Sequence, residues 1–176
     1  TYQRMATEID TILESQELTD GIEELLHNTK DIKQYAVETL GLQHDKNYTT
    51  YVEIDQDFLV YVVSACKKTS FEPYTWNYPF FGSFPYKGFY EKEDAEDEAK
   101  TLQAKGYDVI IRKVDAFSTL GFFKDPVYSF MKDYSLYSLA SLIIHEQTHA
   151  TIFLKNRVQF NEEMATFVGN QDALSY

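Results

Sequence analysis

The chain has 176 residues, a formal net charge of −12 and a hydrophobic fraction of 44%. This length is enough for one globular domain, residues 1–176, with a core of its own, and no apolar run reaches the ~18 residues of a membrane span. The negative charge argues against binding to nucleic acid or to anionic lipid.

The first part of the chain, residues 3–41, is predicted to be helical. Apolar residues recur at helical spacing from residue 9 to 13 and again from residue 22 to 26. A third helix is predicted at about 30–40. It would end at Gly41, because glycine accepts the left-handed conformation that closes many helices.

The middle of the chain predicts a mainly antiparallel, twisted sheet. Aromatic and β-branched residues favour strands at 48–52, 58–65 and 107–114. Proline and glycine interrupt residues 71–90, which predicts extended structure broken by turns. The acidic segment 91–105 predicts a solvent-facing helix.

Two helices are predicted in the last third of the chain, at about 134–154 and from about 161 to the end. The first contains His145-Glu146-Gln147-Thr148-His149. Histidines four apart on a helix share one face, with Cβ atoms about 5–6 Å apart, so both imidazoles can bind one zinc ion. The glutamate between them then reaches a water on that zinc.

A third protein ligand is needed to make a catalytic zinc site, which keeps one position open. Glu162 is the natural choice, because it follows Asn161 and precedes the small residues Ala165 and Thr166, which allow close helix approach. The adjacent Glu163 points about 100° away on a helix and stays an alternative ligand.

Other interpretations of these residue types remain open. The two motif histidines could be packed in a core, although the uninterrupted helical pattern around them favours the metal site. His27 and His44 lie in polar surroundings typical of the surface. Cys66 is the only cysteine, so no internal disulfide forms, and its apolar surroundings favour packing over a reactive thiol.

The ligand set predicts hydrolysis of a peptide bond, one zinc ion per chain and a peptide as substrate. Glu146 is expected to take a proton from the attacking water and to pass it to the leaving amine. The oxyanion needs a further donor. Tyr128, Tyr134 and Tyr137 are candidates, with packing as the competing role for all of them.

Beyond the motif, the sequence resembles the bacterial putative aminopeptidase family, whose His-Glu-x-x-His and Asn-Glu-x-x-Ala pair is of the gluzincin type. The resemblance runs from Tyr35 to Gly169. It is carried by Tyr35-Ala36, Leu40–Leu42, Asn47-Tyr48, Tyr51, Pro79–Gly82, Pro85–Tyr90, Gly106–Val109, Ser118–Gly121, Asp125-Pro126, the metal motif and Phe160–Gly169. Lys87 stands where the family commonly has arginine.

The resemblance implies a zincin-like metallopeptidase with zinc at His145, His149 and Glu162, and Glu146 as the catalytic residue. The expected fold is α+β, with N-terminal helices, a central sheet and two metal-ligand helices. Members usually continue into a further C-terminal helical part, which is not seen here. Many carry an export or lipoprotein signal, which implies the cell envelope or periplasm where a signal was removed and the cytoplasm otherwise. Oligomeric state is not indicated.

An aminopeptidase also needs a carboxylate for the substrate's ammonium group. Asp115 and Asp125 are candidates in the segment 114–126, which is predicted to line the cleft, and turn or cap roles are the competing interpretation. Two other functions are weighed. Deformylase-like hydrolysis would need a cysteine ligand, and Cys66 lacks the sequence context. A non-catalytic zinc protein that binds peptides or assembles the envelope would not need Glu146.

Overall fold

The computed structural model describes residues 5–15, 17–78, 82–114, 125–155 and 157–176. This described part is α+β, which confirms the predicted fold class. The chain forms two compact units. The helical unit comprises residues 1–55 and 119–176, and the sheet unit comprises residues 56–118.

The described residues form five α-helices, one 3-10 helix and eight strands. In order they are β1 (Thr7–Glu8), α1 (Ile9–Ser15), α2 (Asp20–Glu38), β2 (Thr50–Val52), β3 (Val60–Lys67), β4 (Trp76–Tyr78), β5 (Gly82–Phe84), β6 (Lys87–Phe89), α3 (Lys92–Ala104), β7 (Tyr107–Val114), β8 (Val127–Tyr128), a 3-10 helix (Ser129–Asp133), α4 (Leu136–Thr151) and α5 (Val158–Ser175).

The N-terminal helices differ from the prediction of three helices. Helix α2 continues through residue 30 without a break and ends at Glu38. The reason is its buried face, which keeps a helical period along the whole element: Ile22, Leu25, Leu26, Thr29, Ile32 and Ala36. Gly41 has a φ of +70° just beyond the helix, as expected of a glycine that ends one.

In the helical unit, α2 packs on α4, and α4 packs on α5. The helical unit also contains a three-stranded sheet of order β1-β2-β8. Strand β2 runs antiparallel to β1 and parallel to β8. The parallel pair joins segments 76 residues apart, Tyr51 opposite Val127, which local sequence patterns do not report.

The sheet unit is built around β3, which pairs antiparallel with both β6 and β7. Helix α3 covers one face, and the core there consists of Val63, Ala65, Trp76, Ala95 and Leu102. The predicted strand at 107–114 and the predicted helix at 91–105 are confirmed. A β4–β5 ladder forms a separate two-stranded sheet.

The prediction of a single central sheet is therefore wrong, because the described strands form three small sheets. Most strands have only two or three residues. In the aromatic region, prolines and glycines interrupt the chain and prevent longer strands from pairing. Among the described residues, no helix has the length and apolar character needed to cross a membrane.

Candidate metal centre

Helix α4 is capped at its start and buried along one face. The Ser135 hydroxyl accepts a hydrogen bond from the backbone N–H of Ser138 at 3.1 Å, as serine commonly does at helix N-termini. The buried residues of the helix are apolar in its first turns and polar near its end: Leu139, Ala140, Ile143, Ile144, Gln147 and Thr148. This packing fixes the rotation of α4 and therefore the direction of the adjoining face, which carries His145 and His149.

The two histidine side chains converge. Their Nε2 atoms are 3.1 Å apart, and the rings are nearly perpendicular, with an interplanar angle of 86°. The side chains are 21% exposed at His145 and 18% exposed at His149. Within the described part of the chain, the buried Nδ1 of His149 has no hydrogen-bond partner. The pair thus directs one nitrogen from each ring toward a common point.

The Glu162 carboxylate, on α5, faces the same point. Its Oε1 lies 3.3 Å from His149 Nε2 and its Oε2 lies 3.6 Å from His145 Nε2. The alternative candidate, Glu163, is exposed and accepts a hydrogen bond from Gln159 Nε2 at 2.8 Å. The structure therefore brings together His145, His149 and Glu162 and leaves Glu163 outside the group.

The buried Asn161 ties the start of α5 to the chain that follows α4. Its Nδ2 donates to the Leu154 carbonyl oxygen at 2.9 Å, and its Oδ1 accepts from the Leu154 N–H at 3.0 Å. Both backbone groups of Leu154 are thereby satisfied away from regular secondary structure. Because Glu162 is the next residue, these two hydrogen bonds fix the position of its carboxylate relative to α4.

Small residues let α5 approach α4 closely. The buried positions of α5 recur every four residues: Asn161, Ala165, Gly169 and Ala173. A Cβ atom at Gly169 would lie 2.7 Å from the Ser141 carbonyl oxygen and 3.2 Å from the Cβ of His145. The predicted small face is thus partly correct. Thr166 is exposed, and sequence reasoning gave Gly169 no role, although the four-residue spacing of small side chains indicated it.

Burial dominates the electrostatics of the motif. Burial, together with the smaller contributions of the negative charges of Asp125, Glu162 and Asp45, raises the pKa of Glu146 to about 7. Burial also lowers the pKa of His145, with the positive charge of His149 acting in the same direction and Glu162 opposing it. Neutral imidazole is the form that binds a metal, so this burial favours the ligating state of His145.

A second polar group lies near Glu146, on the segment between α2 and β2. Asp45 Oδ1 pairs with Lys33 Nζ at 2.5 Å, and both side chains are nearly buried, 10% and 11% exposed. Asn47 Nδ2 donates to Asp45 Oδ2 at 3.1 Å, and Asn47 Oδ1 accepts from the Asp125 N–H at 3.2 Å. Sequence reasoning gave no role to the bond between Asn47 and Asp125, because it joins residues 78 positions apart.

Tyr48 completes this group. Its backbone N–H donates to the Asp125 carbonyl oxygen at 2.6 Å, and its φ of +54° lies in the left-handed region that few non-glycine residues adopt. The side chain is 5% exposed. Burial raises the pKa of Tyr48 well above its ordinary value, and the charges of Glu146, Asp125 and Asp45 add to this effect.

Comparison with known families gives one result. The sequence profile of a family described as "putative aminopeptidase" matches residues 2–176. The chain belongs to this family. No curated protein and no solved structure matches the chain. Membership in the putative aminopeptidase family points to a peptide hydrolase, and the sequence-based identification of the family is confirmed.

The other predicted residues of this family member differ in exposure. His27 and His44 are exposed. Among the candidate oxyanion donors, Tyr128 is buried, Tyr134 is half-buried and Tyr137 is 41% exposed. Cys66 is half-buried in β3 of the sheet unit. Asp115 and most of the predicted cleft segment, residues 115–124, lie outside the described residues.

We expect the ionised carboxylate of Asp125 to destabilise the folded protein at pH values above the pKa of this group. Burial raises that pKa from 3.8 to about 6. The folded state therefore holds a proton that the unfolded state has released, so stability falls as pH rises through this window. We expect Asp125→Asn to raise Tm by roughly 3–6 °C at pH 8 and by almost nothing near pH 3.5. Thermal unfolding of both proteins at the two pH values measures this.

Asp133→Asn is the matched control, because that side chain is 72% exposed. It should show no such pH-dependent gain. An equal change in Tm at both pH values for Asp125→Asn would mean that the substitution acts through packing and that the carboxyl group carries no raised pKa.

Proposed function

We propose that the protein is a zinc-dependent metallopeptidase of the gluzincin type, with a zincin-like arrangement of ligands, that acts as an aminopeptidase. The observation that carries the proposal is the convergence of His145, His149 and Glu162, whose ligand atoms all lie within 4.8 Å of one another. The His-Glu-x-x-His spacing on α4, the Asn-Glu-x-x-Ala spacing on α5 and the family membership support the same chemistry.

The donor geometry fits zinc. Donor atoms at zinc distances of about 2.0–2.1 Å occupy a tetrahedron whose edges are about 3.4 Å long. The Nε2–Nε2 distance of 3.1 Å and the Nε2–oxygen distances of 3.3 and 3.6 Å bracket that edge. Two imidazoles and one carboxylate are also a catalytic type of zinc ligand set, which leaves a fourth position for water or substrate.

Zinc held by these ligands would lower the pKa of a water molecule and polarise the scissile carbonyl group. The protein's part is to hold the ligands and to move the proton. Glu146 follows His145 on α4, and it is close enough to Glu162 for that charge to raise its pKa. We assign to it the transfer of the proton of the attacking water to the leaving amine. Its half-buried position limits exchange of that proton with solvent.

Metal content and peptide hydrolysis test the proposal together. The purified protein should contain about one zinc per chain and should shorten a mixed peptide library from the amino terminus, and a chelator should stop the cleavage. One zinc without cleavage would favour the non-catalytic zinc protein that binds peptides. A protein that hydrolyses peptides equally well without metal would overturn the proposal.

The choice between the neighbouring glutamates can be tested by zinc affinity. We expect Glu162→Ala to weaken zinc binding by more than about a hundredfold, which exceeds the cost of losing an outer-shell partner. Glu163→Ala is the matched control and should bind zinc like the wild type, because Glu163 contacts Gln159 instead. Competition with a chromophoric chelator measures both affinities. Weaker binding by the Glu163 variant alone would reverse the assignment.

A further inference from the structure

The three-stranded sheet of the sheet unit, β6-β3-β7, has a second face opposite the one that α3 covers. Side chains alternate between the two faces of a strand. Val63 and Ala65 of β3 belong to the core beneath α3, so the intervening Ser64 and the next residue, Cys66, lie on the opposite face. Ile110 of β7 pairs with Ser64 and is 55% exposed. The second face is therefore open to solvent at Ile110.

A groove of about 340 Å³ lies on this second face. Its lining is mostly apolar and includes Ser64, Cys66, Pro73, Pro85, Asp108 and Ile110. A closed apolar cavity of about 150 Å³ is large enough to bind benzene. The groove therefore has room for one phenyl ring and for part of the chain that carries it.

Phe71 is a protruding residue next to this groove. It is completely exposed, so its ring does not fill the groove of its own chain. Phe71 precedes Pro73 by two residues, and Pro73 forms a bridge with Cys66 of β3 and lines the groove. Two residues of chain span at most about 7 Å. The exposed ring and the apolar groove therefore lie next to each other in the sheet unit.

Opposite charges lie beside the ring and beside the groove. Lys68 is three residues before Phe71, and Asp108 lines the groove; both are exposed. Neither forms an ion pair with another described residue. The neighbouring Lys67 and Glu72 pair with each other at 3.0 Å. These four charges cancel, so the chain's net charge of −12 is not concentrated at this surface.

We propose that the groove receives Phe71 from a second copy of this chain, so that two copies form a two-fold dimer through their sheet units. A two-fold interface uses the same surface on both copies, so each copy must carry the protruding group and the groove that receives it. The sheet unit carries both, side by side. Burial of the two phenyl rings drives the association.

Charge complementarity favours a second copy as the occupant. In the two-fold arrangement Lys68 of one copy lies beside the groove of the other copy, where Asp108 carries the opposite charge. The same pair forms twice, once on each side of the axis. The dimer does not depend on the proposed zinc chemistry, because every residue that carries it belongs to the sheet unit.

Sedimentation equilibrium over a wide range of protein concentration tests the dimer. The contact is small, so we expect a Kd of roughly 10–100 μM for the wild type. Phe71→Ala should weaken the dimer by about tenfold or more, as truncation of a central aromatic residue does. Phe167→Ala is the matched control, because it removes a phenyl ring that is 67% exposed on α5 and should leave the Kd unchanged. Thermal unfolding checks that both variants fold like the wild type.

The reactivity of Cys66 reports whether the groove itself is covered. Cys66 is the only cysteine of the chain, and it lines the groove. Its rate of reaction with a chromogenic disulfide reagent should fall as the wild-type concentration is raised through the Kd, because the ring of the second copy covers the thiol. In Phe71→Ala the rate should stay the same over the range in which the wild-type rate falls.

Charge reversal tests the two-fold arrangement. Lys68→Glu and Asp108→Lys should each weaken the dimer by about threefold or more, and the double variant should recover the wild-type Kd. Three results would overturn the inference. They are a wild type that stays monomeric at the highest concentration, a dimer that Phe167→Ala disrupts and Phe71→Ala does not, and a dimer in which Cys66 reacts as fast as in the monomer. The second result would place the interface on α5.

Discussion

Glu146→Gln is expected to lower kcat by about 10²–10⁴-fold, the usual contribution of a residue that transfers protons in the transition state. Glutamine keeps the size of the side chain and its packing on α4 but cannot take the proton of the attacking water. The proposed ligands His145, His149 and Glu162 are unchanged, so zinc content should stay near one per chain. Steady-state kinetics and metal analysis of the same preparation measure both effects.

Glu163→Gln is the matched control for this substitution. It removes one carboxylate from an exposed site that contacts Gln159, so kcat and zinc content should both match the wild type. Two results for Glu146→Gln would contradict the assigned role. Full turnover would mean that another group moves the proton, and loss of zinc would mean that Glu146 is itself a ligand.

We expect Gly169→Ala, a substitution on α5, to disturb the proposed metal centre by pushing α5 away from α4. Alanine is favoured over glycine within a helix by about 1 kcal/mol. Here, however, the new Cβ would lie 2.7 Å from the Ser141 carbonyl oxygen, a backbone atom of α4 that cannot rotate away. We expect the overpacking to dominate, with a net loss of about 1–3 kcal/mol and a Tm lower by roughly 3–9 °C.

Zinc affinity should fall in the same variant. His145 lies on α4 and Glu162 on α5, so a separation of the two helices would displace two of the three proposed zinc ligands relative to one another. We expect a decrease of about tenfold in affinity, comparable to the loss of an outer-shell contact. Differential scanning calorimetry of the metal-free protein and chelator competition with the zinc form distinguish the stability effect from the effect on the metal.

Gly21→Ala provides the control for the change from glycine to alanine. Gly21 lies at the start of α2, and a Cβ there would meet nothing closer than Lys132 Cδ at 3.9 Å. Its stability should be equal to or above that of the wild type, and zinc affinity should not change. If Gly169→Ala behaved in the same way, the close approach of α4 and α5 would not govern the ligand geometry.

Several features of the centre could be predicted because they depend on local chemistry. Histidines four apart project from one face of any α-helix, so the convergence of His145 and His149 follows from spacing once α4 forms. The choice of Glu162 over Glu163 followed from the same periodicity, because small residues on the buried face of α5 indicated which side meets α4. The family was also recognisable from motifs along the chain.

Other features could not be predicted because they depend on pairings between distant segments. The parallel pairing of β2 with β8 and the link from Asn47 to Asp125 each join residues more than 70 positions apart. Sequence periodicity reports which face of an element is apolar, and it does not say which other element covers that face. The prediction of a single sheet failed for this reason: the longer strands β3 and β7 were identified, but the short strands β1 and β8 and the pairing of the strands were not.

By itself, the sequence determined the helices α3, α4 and α5, the longer strands, the α+β class and the choice of candidate ligands, because hydrophobic period and residue spacing act over a few residues. Only the tertiary structure decided how closely α5 approaches α4 at Gly169, how Asn161 sets the start of α5, and which polar groups surround Glu146. These depend on distances across the core, where burial changes the pKa of a carboxyl group and a single Cβ can separate two helices.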